Sequence, residues 1–219
     1  SVIRHVIQSS LRLAGERIKF EGFGDSNYKS KDISEAFRTL ERTYLISLVY
    51  PTTNVQVPLT ENRKKSPKLH TVDTGILNYY AGIQVKLLSG AGIDTVFEGK
   101  VAEHIVGQEL LAIHPSPLYR NVFWVRDKKQ SGAEIDYIIQ HNSLLIPVEV
   151  KRGKTGKLRS LMEFMDACPH GYAVRIYSGK LSIDKVKTFA GKDFLILNLP
   201  FYLTGRIREY LHRFISEKS

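Results

Sequence analysis

The chain has 219 residues, of which 42% are hydrophobic and 25% charged, and its 32 Lys and Arg outnumber its 22 Asp and Glu. That length suits one large domain or two small ones, and no apolar run is long enough to span a bilayer. Cys168 is the only cysteine, so an intrachain disulfide is excluded and a reducing compartment, the cytoplasm, is expected. A net charge of +10 and an isoelectric point near 9.6 point to a polyanionic partner, with solubility as the plain alternative. The opening Ser1-Val2-Ile3-Arg4-His5 has neither a methionine nor a signal-peptide pattern and reads as a piece of a longer protein.

Residues 1–82 read as a small helical module. Val2, Val6, Ile7, Leu11 and Ala14 make an apolar stripe at helical spacing. Asp32-Ile33-Ser34-Glu35 has the outline of a capping box, and Ile33, Phe37, Leu40 and Tyr44 continue one face. Leu45 to Tyr50 predicts a strand ended by Pro51, and Pro67 to Asp73 a second strand after a polar stretch. Helices followed by a β-hairpin outline a winged helix-turn-helix. Lys31, Arg38 and Arg42 on its second helix, and Arg63-Lys64-Lys65 with Lys68 on the wing, are then candidates for DNA contact. The same module also suits docking to another protein domain. Gly82, Gly90 and Gly92 mark 83–96 as a connector.

From Phe97 onward a helix is followed by strands at Val122–Arg126, Ala133–Ile139 and Ile146–Lys151, the last two joined by a turn at Gln140-His141-Asn142-Ser143. Leu158, Leu161, Met162 and Met165 predict a crossover helix, which makes the following strand, Tyr172–Tyr177, parallel to its neighbour. The methionines read as core filler rather than metal ligands. Asp193–Leu199 is a further strand, and Ile207, Tyr210, Leu211 and Phe214 a final helix. Further basic groups flank these elements: Arg126, Lys128 and Lys129 in one loop, and Lys151, Arg152, Lys154, Lys157 and Arg159 after the third strand.

Side chains alternate along a strand, so Glu149 and Lys151 share one face while Val148 and Val150 share the other. Pairing with the Ala133–Ile139 strand brings Asp136 alongside them, and Glu134, on the same face as Asp136, reads equally as an outer ligand or as a surface glutamate. Two carboxylates and an ammonium on apolar strands cost too much to bury without a bound group. A divalent metal between Asp136 and Glu149 accounts for the acids, and Lys151 beside it suits water activation or stabilisation of phosphoryl charge. On a helical wheel of 97–113 the inward-facing acid is Glu109, with Glu103 at the stripe edge.

Asp followed by Glu-x-Lys on an adjacent strand resembles the PD-(D/E)XK nuclease superfamily. The order of Leu69-His70-Thr71-Val72-Asp73-Thr74-Gly75, Gly99-x-x-Ala102-Glu103, Phe123-Trp124-Val125-Arg126 and Pro147-Val148-Glu149-Val150-Lys151-Arg152-Gly153 resembles the C-terminal region of bacterial and archaeal AAA-type ATPases. The resemblance implies an α/β chain: a winged helix at 1–82, a connector at 83–96 and a nuclease-like mixed sheet flanked by helices at 97–219. It implies Glu103 as the helix acid, with Asp136, Glu149 and Lys151 completing a site that uses Mg²⁺ or Mn²⁺ to cut DNA, and a missing ATPase domain as partner. The opposing expectation is a non-catalytic DNA- or protein-binding module that regulates that ATPase.

Other chemistries are disfavoured. Gly153-Lys154-Thr155 has Val148 where a phosphate-binding loop needs its first glycine, so no ATP site is expected in this chain. The seven histidines show no zinc-ligand spacing, and there is no Gly-x-Ser-x-Gly.

Overall fold

The computed structural model describes residues 1–80, 89, 99–116, 118–127, 132–151, 153 and 158–217. The fold is α/β, and the chain divides into two compact units. The first takes Ser1–Tyr50 with Arg63–Gln108, and the second Pro51–Asn62 with Glu109–Ser219. The connector expected at 83–96 lies outside the described residues except for Ser89.

In the first unit, α1 (Val2–Arg12) and α2 (Ser30–Arg42) precede an antiparallel pair, β1 (Ile46–Thr52), whose last two residues fall in the second unit, and β2 (Lys68–Thr71), with Ile46 opposite Thr71 and Val49 opposite Lys68. Two further helices follow, α3 (Thr74–Tyr80) and α4 (Gly99–Ala112), of which α4 crosses the unit boundary. Its core gathers Val6, Ile33, Phe37, Leu40, Leu48 and Leu69. Phe37 is fully buried and meets Phe23 edge-on at 4.8 Å. Burying such a ring stabilises by roughly 1.5–3 kcal/mol. The 3₁₀ turn Phe23–Asp25 runs so close to α1 that a Cβ at Gly24, which has φ 62°, would collide with Ser9 Oγ.

Four local expectations change here. The buried face of α1 runs through Val6, Ser9 and Ser10, and Ile7 is exposed. Helix α2 begins at Ser30 with no side-chain cap, so Asp32 is not a cap but sits in the first turn, where its charge suits the helix dipole. Tyr44 lies beyond the helix, exposed, at φ 57°. Strand β1 continues through Pro51, whose carbonyl accepts from Asn62 N–H (2.7 Å), so the missing proline donor does not end it.

In the second unit, β3 (Val122–Val125) pairs with β4 (Glu134–Ile135). A five-stranded mixed sheet follows in the order β5-β6-β7-β9-β8, formed by β5 (Tyr137–His141), β6 (Leu144–Lys151), β7 (Tyr172–Tyr177), β8 (Ser182–Lys187) and β9 (Asp193–Pro200). The crossover helix α5 (Arg159–Ala167) links β6 to β7, and these strands are parallel as its presence predicts. It buries Leu161, Phe164 and Met165 in one core with Ile138, Leu145, Ala173 and Ile196. The last helix, α6 (Ile207–Ser216), buries Ile207, Leu211 and Phe214, and Phe214 meets Tyr172 edge-on at 5.4 Å.

The single strand expected at Ala133–Ile139 is two. It breaks at Asp136, so β4 joins β3 while β5 joins β6. The turn between β5 and β6 narrows to Asn142-Ser143, with His141 opposite Leu144, and Asn142 takes the positive φ of 53° that a two-residue hairpin needs. Strand β8 is an addition to the elements expected from sequence. It is an exposed edge carrying Asp184, Lys185 and Lys187, charges that discourage edge-to-edge pairing and mask the β pattern.

Candidate active site

The hairpin ladder sets the site. Tyr137 lies opposite Val148 at the end of the ladder, with Asp136 one residue beyond it on one strand and Glu149 one residue beyond on the other. At that step Asp136 leaves the strand, and its Oδ2 accepts the Val150 backbone N–H at 2.8 Å, closing the end of the ladder. On β6, Lys151 donates to Glu149 Oε1 along the same face. Glu149 is buried at 5% exposure, whereas the Lys151 side chain keeps 25% of its surface. Glu134 is on β4 opposite Val125, in a separate ladder.

Among the described residues no three His, Cys, Asp or Glu side chains are grouped to hold a metal ion. That donor set does not fit a closed zinc site. Asp136 and Glu149 are two carboxylates at one end of the β5–β6 ladder, the number that Mg²⁺ commonly takes while keeping several waters.

Glu103 has its own partners in the first unit. Lys68 donates to its Oε1 at 2.6 Å, and His70 Nε2 stands 3.6 Å from the same oxygen. Lys68 is 3% exposed and His70 4%. His70 stacks on His104 with ring centroids 4.3 Å apart, and His104 Nδ1 is 2.7 Å from the Lys100 carbonyl. Burial alone would raise the Glu103 carboxyl, but His70 and the Lys68 ammonium outweigh it and hold it at about 2. Burial, with the nearby His70, lowers His104 to about 3 and keeps it neutral. Lys68, read from sequence as part of a basic wing, thus points inward: it stands on a strand whose four residues are all buried. Glu109, the acid the helical wheel favours, lies in the second unit, its carboxylate beside Gly205.

Much of the remaining basic character is at the surface. Lys31, Arg38 and Arg42 are exposed on α2, opposite its buried Ile33–Phe37–Leu40 face. An open pocket of about 300 Å³ in the first unit is lined by Lys19, Phe20, Tyr50, Arg63, Lys64 and Lys65 among others, with the Arg63 guanidinium 5.4 Å from the Tyr50 ring centre. In the second unit Arg126 and Arg159 converge on Glu163 at 2.9 and 3.3 Å, so this part of the basic surface is partly neutralised. Lys128, Lys129, Arg152, Lys154 and Lys157, and all of Gly153-Lys154-Thr155 but Gly153, lie outside the described residues.

Two polar residues of the sheet escape the sequence reading, Arg175 on β7 and Asn198 on β9. Each interrupts an apolar strand, the same signal that singles out Glu149.

Residues 98–199 match the family described as "Domain of unknown function (DUF4143)", a domain found C-terminal to AAA-type ATPases in some families. Residues 2–87 match "Domain of unknown function (DUF8612)". No curated protein matches the chain.

Proposed function

We propose that this chain is the C-terminal region of an AAA-type ATPase, with a winged helix at its start and a PD-(D/E)XK nuclease-like domain that hydrolyses DNA phosphodiesters. The observation that carries this reading is Asp136 bonded to the Val150 N–H at the end of the ladder, next in sequence to the Lys151–Glu149 pair on β6. Asp136 and Glu149 would hold Mg²⁺ or Mn²⁺, which when bound supplies Lewis-acid stabilisation of the phosphoryl charge. The Val150 N–H keeps Asp136 Oδ2 aimed, and the buried Glu149 resists competing hydration. Lys151 Nζ donates a hydrogen bond to the attacking water or to a non-bridging phosphate oxygen. Glu103 has a structural role in this reading, because Lys68 and His70 already hold its carboxylate.

DNA is the proposed substrate and partner. The +10 charge supports it, as do the exposed Lys31, Arg38 and Arg42 and the basic, aromatic-edged pocket at Arg63–Lys65. The test is plasmid nicking by purified protein in Mg²⁺ or Mn²⁺. Wild type should nick and Asp136→Asn should not; equal traces from both would assign the cleavage to a contaminant. A second reading, a non-catalytic DNA- or protein-binding module regulating the ATPase, draws support from the direct Lys151–Glu149 ion pair, which by itself already neutralises the acid. Absence of metal-dependent nicking, with DNA binding retained, would favour it.

A further inference from the structure

The acid–lysine cluster is one end of a polar row that crosses four strands of the five-stranded sheet. Glu149 on β6 is registered with Arg175 on β7, Arg175 with Asn198 on β9, and Asn198 with Ser182 on β8. Directly paired positions project to the same side, so Glu149, Arg175, Asn198 and Ser182 share one face. The adjoining row on that face is mostly apolar, with Pro147, Ala173 and Ile196. A polar row there is costly unless its groups are satisfied.

They are incompletely satisfied. Asn198 is fully buried, and its Nδ2 donates to Ser182 Oγ at 3.0 Å while its Oδ1 has no hydrogen-bond partner among the described residues. The buried Nε–H of Arg175 likewise has none. Its Nη2 reaches Asp184 only at 3.5 Å, and Asp184 is itself half-exposed. The guanidinium lies 4.7 Å from the centre of the Tyr177 ring, which is anchored by a 2.7 Å hydrogen bond to the Lys180 carbonyl. Arg175 thus sits on a fixed aromatic platform, one strand from Glu149, with a weak ion pair to give up and an unused donor.

We propose that Arg175 is a phosphodiester-binding residue of this site, holding a non-bridging phosphate oxygen beside Glu149 and Lys151, with Asn198 as the positioning residue that receives the Arg175 Nε–H when the guanidinium turns from Asp184 to the phosphate. The planar guanidinium fork matches two phosphate oxygens, which an ammonium cannot do. The proposal rests on reading the Asp136–Glu149–Lys151 cluster as a phosphodiester site.

The experiment uses the full chain and the dinucleotide TpT, which carries one phosphodiester and so gains little from basic residues elsewhere. In a ¹⁵N-arginine-labelled sample, the Arg175 Nε–H resonance should shift saturably as TpT is added. Arg175→Gln should weaken TpT binding by ~10-fold or more, the loss of one charge-assisted hydrogen bond, and Arg175→Lys should recover part of it. Asn198→Leu should weaken it by less than Arg175→Gln. An unmoved Nε–H resonance in wild type, or unchanged affinity in a folded Arg175→Gln protein, overturns the proposal. TpT binding that depends on Arg175, in a protein that never cleaves DNA, upholds the subsite and refutes the hydrolytic reading alone.

Discussion

Each unit sets a glutamate against a lysine, and the two pairs differ in what surrounds them. Glu103 and Lys68 are both sequestered, their side chains 13% and 4% exposed, with the His70–His104 stack beside them. Glu149 is as deeply placed, but its lysine is partly open, the Asp136 carboxylate is bonded to the neighbouring Val150 N–H, and Arg175 and Asn198 continue the polar face. A pair closed on every side organises a core. A pair left open on one side, next to groups that still have hydrogen-bonding capacity, can meet a ligand. The difference lies in what surrounds the pair, since the pairs themselves are chemically alike.

Four experiments test that contrast. The largest effect is expected at the open site: Lys151→Met should lower metal-dependent DNA cleavage by about 10²–10⁴-fold while leaving the fold intact by circular dichroism. Loss of fold together with activity would make this pair structural as well. At the closed site Lys68→Met should cost roughly 3–5 kcal/mol in urea unfolding, because it strands a buried carboxylate, and adding Glu103→Gln should recover much of the loss. A cost well under 1 kcal/mol would show that Glu103 finds water.

The third is a pH effect. His104 is held at about 3 against an ordinary 6.5, so between these values the unfolded chain binds a proton that the folded chain does not. Stability is therefore full above pH 6.5 and falls as the pH drops toward 3, by roughly 2–3 kcal/mol between pH 6.5 and 4.5. Glu103, held at about 2 against 4.5, adds its own loss only below pH 4.5. His104→Phe should flatten the upper window; an unchanged slope there would assign it to other groups. The smallest effect concerns the surface. If about five basic residues meet phosphates, DNA affinity should fall with salt at a log–log slope of about −4 to −5. Removing the charges of Arg63, Lys64 and Lys65 should make the slope shallower by up to about 0.9 for each phosphate that these side chains neutralise, and no change would move the first unit to a protein-docking role.

What the sequence determined by itself was periodic and local. Alternation in Pro147–Lys151 put Glu149 and Lys151 on one face, helical spacing placed Leu161 and Met165 in the α5 core though it passed over Phe164, and the apolar crossover between β6 and β7 required parallel strands. These properties follow from backbone geometry repeating every two or 3.6 residues, so a short window contains them. Tertiary structure decided the strand partnerships that no turn or crossover helix dictates. The break at Asp136 arises because β4 and β5 pair with different partners, and Lys68 turns inward because Glu103, far along the chain, receives it. Arg175 and Asn198 join Glu149 in one row only through the register of three strands drawn from separate stretches of the chain. Polarity within a strand is visible in one dimension, whereas the company it keeps is set by pairing across tens of residues, where packing and register, rather than local propensity, choose the neighbours.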